Sequence, residues 1–223
     1  MDQLIRYWAQ GDAVSRAVAM TLLVMSVVSW VLVFWKGWML WRVRRDLATA
    51  PAHYWAAADL PGGREALLRV DREGILLPLV DAAMAPIDPA SLGAKAHPEA
   101  QLTRGLRDAL HDVLADLRLG LVWLATVGAV APFVGLLGTV WGIYHAMLRI
   151  SSEGSVGIDQ IAGPVGEALV MTAAGLAVAI PAVIAYNLLG KWVTASEADL
   201  EGFAHDLRET ALALRYPSAH HEG

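Results

Sequence analysis

Residues 168–190 carry no charged side chain, between Glu167 on one side and Lys191 on the other. No other kind of feature limits so sharply what a chain can fold into. A bilayer core is about 30 Å thick and takes about 20 helical residues to cross. Two further blocks reach that length. Residues 17–41 are interrupted only by Lys36. Residues 119–148, between Arg118 and Arg149, hold no Asp, Glu, Lys or Arg and a single histidine, His145. Lipid cannot satisfy free backbone groups, so an isolated span is a helix. The competing reading, a buried core helix of a soluble protein, fits poorly, because soluble helices rarely stay uncharged for so long. The composition agrees: 56% of residues are hydrophobic and 17% charged, where a soluble domain has about a quarter charged. The expected fold is all-α and integral to the membrane. Three transmembrane helices lie at about 17–41, 119–148 and 168–190, with phospholipid as their surroundings and one membrane domain covering 1–223.

The first block is too long for a cleaved signal, and the segment before it is not positive. Arg6 and Arg16 there are balanced by Asp2 and Asp12, whereas Lys36, Arg42, Arg44 and Arg45 crowd the other flank. The positive-inside rule then places the N-terminus outside and residue 42 onward in the cytoplasm. The 149–166 loop is outside, and the third span returns to the cytoplasm at Lys191. Trp35, Trp38, Trp41, Trp123 and Trp192 collect at the inner interface as an aromatic belt, toward which Lys36 can snorkel.

The cytoplasmic part comprises 42–118 and 191–223. Pro51, Pro61-Gly62-Gly63, Pro78 and the group Pro86, Pro89 and Pro98 punctuate it, leaving short helical stretches such as 64–77. From Glu99 to Leu119, the residues Leu102, Leu106, Leu110, Val113, Leu114 and Leu117 recur at helical spacing. Nothing between them and the second span breaks the helix, so one continuous helix is expected. The third span likewise runs on, with Leu200, Phe203, Leu207, Ala211 and Leu214 on one face. These stripes call for packing partners, within the chain or between subunits. The His-bearing tail, 217–223, reads as flexible and carries no metal role.

Spans two and three differ from span one. Gly128, Gly135 and Gly142 recur every seven residues and share a face, with Pro132 and Thr139 on or beside it. The third span sets Thr172, Gly175 and Ala179 on one face, with Pro181 inside it. Small residues let helix backbones approach in lipid, and each proline frees a carbonyl and favours a kink. The first span is bulky and reads as a lipid-facing anchor. Glu167 follows Gly163-Pro164, which reads as the start of the third helix. A carboxylate there is either functional or a complement to the helix dipole, and position alone does not separate the two. Thr139 and Thr172 have a plain reading as well, a bond to their own i−4 carbonyl. His145 reads as interfacial.

The chain has no cysteine, hence no disulfide, thiolate ligand or catalytic thiol. It has no basic cluster suited to nucleic acid. No nucleophile–base pair lies at membrane depth, so an enzyme, a metal site or a cofactor is not expected. No Asp, Glu or His lies near mid-membrane either. A proton relay needs titratable groups at depth, so another chain must supply the deep carrier if protons move here.

Residues 129–143 (AVAPFVGLLGTVWGI) and 163–187 (GPVGEALVMTAAGLAVAIPAVIAYN) resemble the ExbB/TolQ family, relatives of flagellar stator A subunits. A weaker echo covers residues 29–36, and 46–115 shows little similarity. The resemblance implies a homopentamer in a bacterial inner membrane, whose second and third spans surround the single-span helices of an ExbD- or TolR-like partner. That partner carries a membrane Asp. Proton motive force then energises a TonB-like or TolA-like protein, as in TonB-dependent iron-siderophore uptake. The family's polar positions fall on Thr139, Glu167 and Thr172. Gly166 and Met171 depart from the usual alanines, and Met171 is expected to narrow or reshape the lining. The 162–169 run and the Ser29-Trp30 region favour the ExbB branch, and His145 after Tyr144 favours TolQ. A passive scaffold for a partner helix explains the small-residue faces equally well. A flagellar-type torque generator would have four spans rather than three.

Overall fold

The computed structural model describes residues 12–86, 95–153 and 158–215, with the side chains of 149–162 and 215 left aside. The expectations for residues 1–11, Pro89, the middle of the 149–166 connection and the 217–223 tail lie outside the described residues. Helices are the regular structure among the described residues: α1 (Ala13–Trp55), α2 (Leu60–Val70), α3 (Leu77–Met84), α4 (Pro98–Arg118), α5 (Leu121–Glu153) and α6 (Ile158–Arg215). Three stretches are long and apolar enough to cross a membrane, within Ala13–Trp55, Pro98–Leu148 and Gly163–Leu214.

The chain divides into two compact units. The first holds Met1–Trp35 and Gly120–Leu188. Its core joins Val18 and Leu22 of α1 to Val127 and Ala131 of α5 and Met171, Ala179 and Ala182 of α6. Outside this thin core the helices expose large apolar side chains, among them Val31, Phe34, Phe133, Val140, Val170 and Ile180. So much apolar surface requires lipid or another membrane helix to cover it. At the start of α1, the Asp12 carboxylate accepts from the Ala13 amide at 2.8 Å, occupying one of the orphan donors of a helix start.

The second unit holds Lys36–Leu119 and Leu189–Gly223. Leu102, Leu106, Val113, Leu114 and Leu117 of α4 are buried, as are Leu200, Phe203, Leu207 and Ala211 of α6. These stripes therefore pack within the chain. Each leucine, valine or phenylalanine among them contributes about 1.5–3 kcal/mol when fully buried. Leu214, placed on the same face by spacing, is 59% exposed. Arg118 pairs with Glu197 at 2.8 Å and Arg42 with Glu73 at 2.6 Å.

Four expectations about local structure need correction. The helix expected over 64–77 is two elements. Asp59 caps α2 by accepting from the Gly62 amide at 2.8 Å, so Pro61-Gly62-Gly63 forms a first turn rather than a break. Pro61 suits that turn, where its missing N–H has no partner to lose. The helix ends at Asp71, whose buried carboxylate accepts from the amides of Ile75, Leu76 and Leu77 at 3.1, 2.8 and 3.0 Å. Gly74 supplies the left-handed turn at φ +65.

The expected continuous helix into the second span is broken. α4 ends at Arg118, and Gly120 takes φ +87 before α5 begins. Conversely, α6 is already helical at Ile158, and Pro164 lies inside it. Glu167 is therefore nine residues past the first helical residue, beyond the turn over which a helix dipole acts.

Lys36 does not snorkel. It is 1% exposed, and its ammonium donates to the Asp116 carbonyl at 2.9 Å. That carbonyl belongs to the last turn of α4, where helix oxygens lack intrahelical partners and a cation meets the negative end of the dipole.

Candidate functional site

The first unit is held together by the small faces that the sequence sets on α5 and α6. Seven residues turn an α-helix through 700°, within 20° of two full turns. Gly128, Gly135 and Gly142 therefore form a nearly straight stripe. Opposite it on α6 lie Ala168, Met171, Thr172, Gly175, Ala179 and Ala182. The closest approach is at Gly135 and Gly175. A Cβ on Gly135 would stand 2.6 Å from the Met171 carbonyl oxygen, and one on Gly175 would stand 2.6 Å from the Ala131 carbonyl oxygen. Both obstacles are backbone, so a side chain there cannot be accommodated by a rotamer change. At the flanks, Gly128 faces the Val183 side chain and Gly142 faces Ala168. Pro132 and Pro181 lie inside α5 and α6, and each helix continues on both sides of its proline.

This close approach brings two hydroxyls together. Thr139 is 5% exposed, and its Oγ1 donates to the Leu136 carbonyl at 2.7 Å. Thr172 Oγ1 donates across the helix pair to Thr139 Oγ1 at 3.3 Å. The bonds run in one direction: from Thr172 of α6 to Thr139 of α5, then to a backbone carbonyl of α5. The i−4 back-bond that spacing favours for both threonines is not the arrangement found. Thr139 reaches i−3, and Thr172 reaches another helix.

Glu167 is not part of this pair. Five residues along an α-helix amount to about 140° of rotation, so Glu167 and Thr172 point to different sides of α6. Glu167 is exposed and makes no hydrogen bond or ion pair among the described residues. Met171 is 7% exposed, within the core that joins α1, α5 and α6. It therefore packs inward instead of narrowing a lining surface. Its room comes from Gly138, where a Cβ would stand 3.0 Å from that of Met171. Gly138 falls outside the seven-residue glycine series, so the spacing argument passes over it.

One cluster in the first unit is missing from the sequence reading. Asp12 Oδ2 accepts from Trp141 Nε1 at 2.7 Å and lies 3.3 Å from His145 Nε2. The Trp141 bond first, then the Ala13 amide, hold the Asp12 carboxyl below its usual range. His145 is thus a partner of α1. The 129 residues between Asp12 and Trp141 put this contact beyond the reach of spacing.

Two glycine-faced helices in backbone contact, a hydroxyl pair between them and a third apolar helix packed alongside define a class: a helical integral membrane protein with a polar seam in its wall. The chain belongs to the MotA/TolQ/ExbB proton channel family, whose sequence pattern matches residues 76–202. Thr139, Glu167 and Thr172 all fall inside the match, and α1 falls outside it. The biopolymer transport protein ExbB of Xanthomonas campestris pv. campestris (strain B100) is 41% identical over 211 residues, covering 89% of this chain and 82% of that protein. The biopolymer transport protein ExbB of Neisseria meningitidis serogroup A is 40% identical over 208 residues, covering 91% and 94%. The Tol-Pal system protein TolQ of Haemophilus influenzae is more distant, 31% identical over 200 residues and 87% of each chain. At the family level, then, this is an ExbB-like transport protein.

Proposed function

We propose that this chain is the ExbB-type subunit of a proton-motive-force-driven energy transducer in a bacterial inner membrane. It assembles as a homopentamer, with its N-terminus outside and its C-terminus in the cytoplasm. An ExbD-like single-span partner supplies a membrane Asp, and a TonB-like protein carries the work to outer-membrane uptake of cargo such as iron-siderophores. The observation that carries this reading is the directed pair Thr172–Thr139 between two helices in backbone contact.

A threonine hydroxyl donates one hydrogen bond and accepts others but does not hold a charge at neutral pH. The pair can therefore solvate a proton, or orient a carboxyl that carries one, without itself being the carrier. Thr139 uses its hydrogen on the Leu136 carbonyl. A hydroxyl rotates about its C–O bond, so a carboxylate arriving beside Thr172 can take the hydrogen now given to Thr139. The wall supplies a switchable donor, and a partner helix supplies the acid. Glu167, on a different side of α6, serves in this reading as a separate polar mark.

The 40–41% identity to ExbB-named relatives favours ExbB over the Tol-Pal alternative at 31%. Replacing Thr172 by valine keeps the shape of the side chain and removes the hydroxyl. Thr172→Val and Glu167→Ala are each expected to lower TonB-dependent growth on iron-siderophore at least about tenfold, the equivalent of ~1.4 kcal/mol, with the oligomer still assembled. The checks are growth in a strain lacking the native subunit and size-exclusion of the purified complex. Full growth with both changes present would reduce these residues to structural elements. It would also favour the passive scaffold.

A further inference from the structure

In the second unit, an open cleft of about 450 Å³ runs along the start of α4 beside Arg208 of α6, lined by His97, Glu99, Thr103, Arg104, Arg107 and Arg208 among others. Its floor is fixed. Arg208 donates from Nε to Thr103 Oγ1 at 2.9 Å, pairs with Glu99, and pairs with Glu209 at 2.5 Å. Thr103 in turn donates to the Glu99 carbonyl at 2.8 Å. Both carboxylates are thus spent on Arg208. Arg104 and Arg107 are exposed and form no ion pair among the described residues. Three positions apart on α4, they are neighbours on its surface. The cleft lies at the start of α4, where His97 gives no side-chain cap and the first amides have no preceding carbonyl to meet. That end of a helix also carries positive potential. The positive charge of the cleft is therefore only partly answered.

We propose that this cleft binds phosphate oxygens. A carboxylate offers two oxygens, and Glu99 already plays that part toward Arg208. A phosphate group offers more oxygens and more charge. It can meet the forked guanidinium groups of Arg104 and Arg107 together, the geometry for which arginine is suited. The cleft is open to its surroundings, so it admits a di- or triphosphate or a phospholipid headgroup as well as a single phosphate.

The test is calorimetric titration of the full-length protein with sodium pyrophosphate at constant ionic strength, in nanodiscs of phosphatidylcholine alone and with phosphatidylglycerol. Saturable binding is expected in phosphatidylcholine discs. It should weaken at least about tenfold in the Arg104→Gln/Arg107→Gln variant, which loses both charge-assisted donors. The charge-matched Arg69→Gln/Arg72→Gln variant should bind as the wild type does. Weaker pyrophosphate binding in phosphatidylglycerol discs assigns the natural occupant to a lipid headgroup, and equal binding assigns it to a free phosphate compound. Either supports the site. Absence of saturable binding in both discs, or equal losses in the two double variants, overturns it. Because Arg104 and Arg107 are exposed, thermal melting of their variant should match the wild type, and Arg104→Lys/Arg107→Lys, which keeps the charge and loses the fork, should bind between the two.

Discussion

Gly175→Ala is expected to destabilise the protein toward the upper end of the ~1–3 kcal/mol that overpacking costs and to reduce the yield of assembled complex. The added methyl would stand 2.6 Å from the Ala131 carbonyl oxygen, 3.1 Å from Gly135 Cα and 3.3 Å from Gly135 N. All three are backbone atoms, so relief requires moving α5 away from α6. That movement would also part Thr172 from Thr139, whose bond is already long at 3.3 Å. Proton-dependent function should therefore fall further than stability alone accounts for. Gly202→Ala on the same helix is the control. Nothing lies within 4 Å of a Cβ there, and a glycine inside a helix costs roughly 0.5–1 kcal/mol relative to alanine. That substitution should be neutral or stabilising. Thermal unfolding of the detergent-solubilised complex measures both. Equal melting temperatures for Gly175→Ala and wild type would mean that the helices are not in backbone contact.

Lys36→Glu should cost about 3–5 kcal/mol, the penalty for an uncompensated buried charge. It would set a carboxylate against the Asp116 carbonyl that now accepts from the ammonium at 2.9 Å. Against a typical total stability of about 5–15 kcal/mol, that is a large share, and folded yield in the membrane fraction should fall. Lys36→Met removes the donor without inverting the charge. The Asp116 carbonyl keeps the Leu119 amide at 3.2 Å, so the loss should be milder, about 1–3 kcal/mol. The comparison is read from folded yield and melting temperature. A Lys36→Glu protein as stable as the wild type would place the side chain at an aqueous interface, as the sequence alone suggests.

The spans were legible because absence of charge over 20 or more residues has few physical causes. The glycine stripe was legible because its seven-residue period maps onto a face without tertiary information. What escaped the sequence depended on partners distant in the chain. Lys36 reads as a snorkelling cation until the end of α4 is known to lie beside it. Met171 reads as lining because the family resemblance sets it where an alanine is usual, beside Thr172. Its inward course depends on Gly138, a glycine outside the periodic series. Pro164 reads as a helix start because proline is favoured there, yet α6 is helical from Ile158, and the dipole reading of Glu167 weakens accordingly. The break at Gly120 leaves no mark in the sequence, because a lone glycine is tolerated in a helix and only its φ of +87 makes the turn. For the threonine pair, both hydroxyls were singled out from the sequence, but their bond to each other required the crossing of α5 and α6.

On the proposed function, this wall carries protons only when a second chain brings an acid to it. The direct measurement is proton flux into liposomes under an imposed potential, with the purified chain alone and with its co-purified single-span partner. The chain alone should conduct little above protein-free liposomes, and the complex should conduct in a way that Thr172→Val diminishes. Robust flux through the chain alone, or flux through the complex that Thr172→Val leaves undiminished, would contradict this.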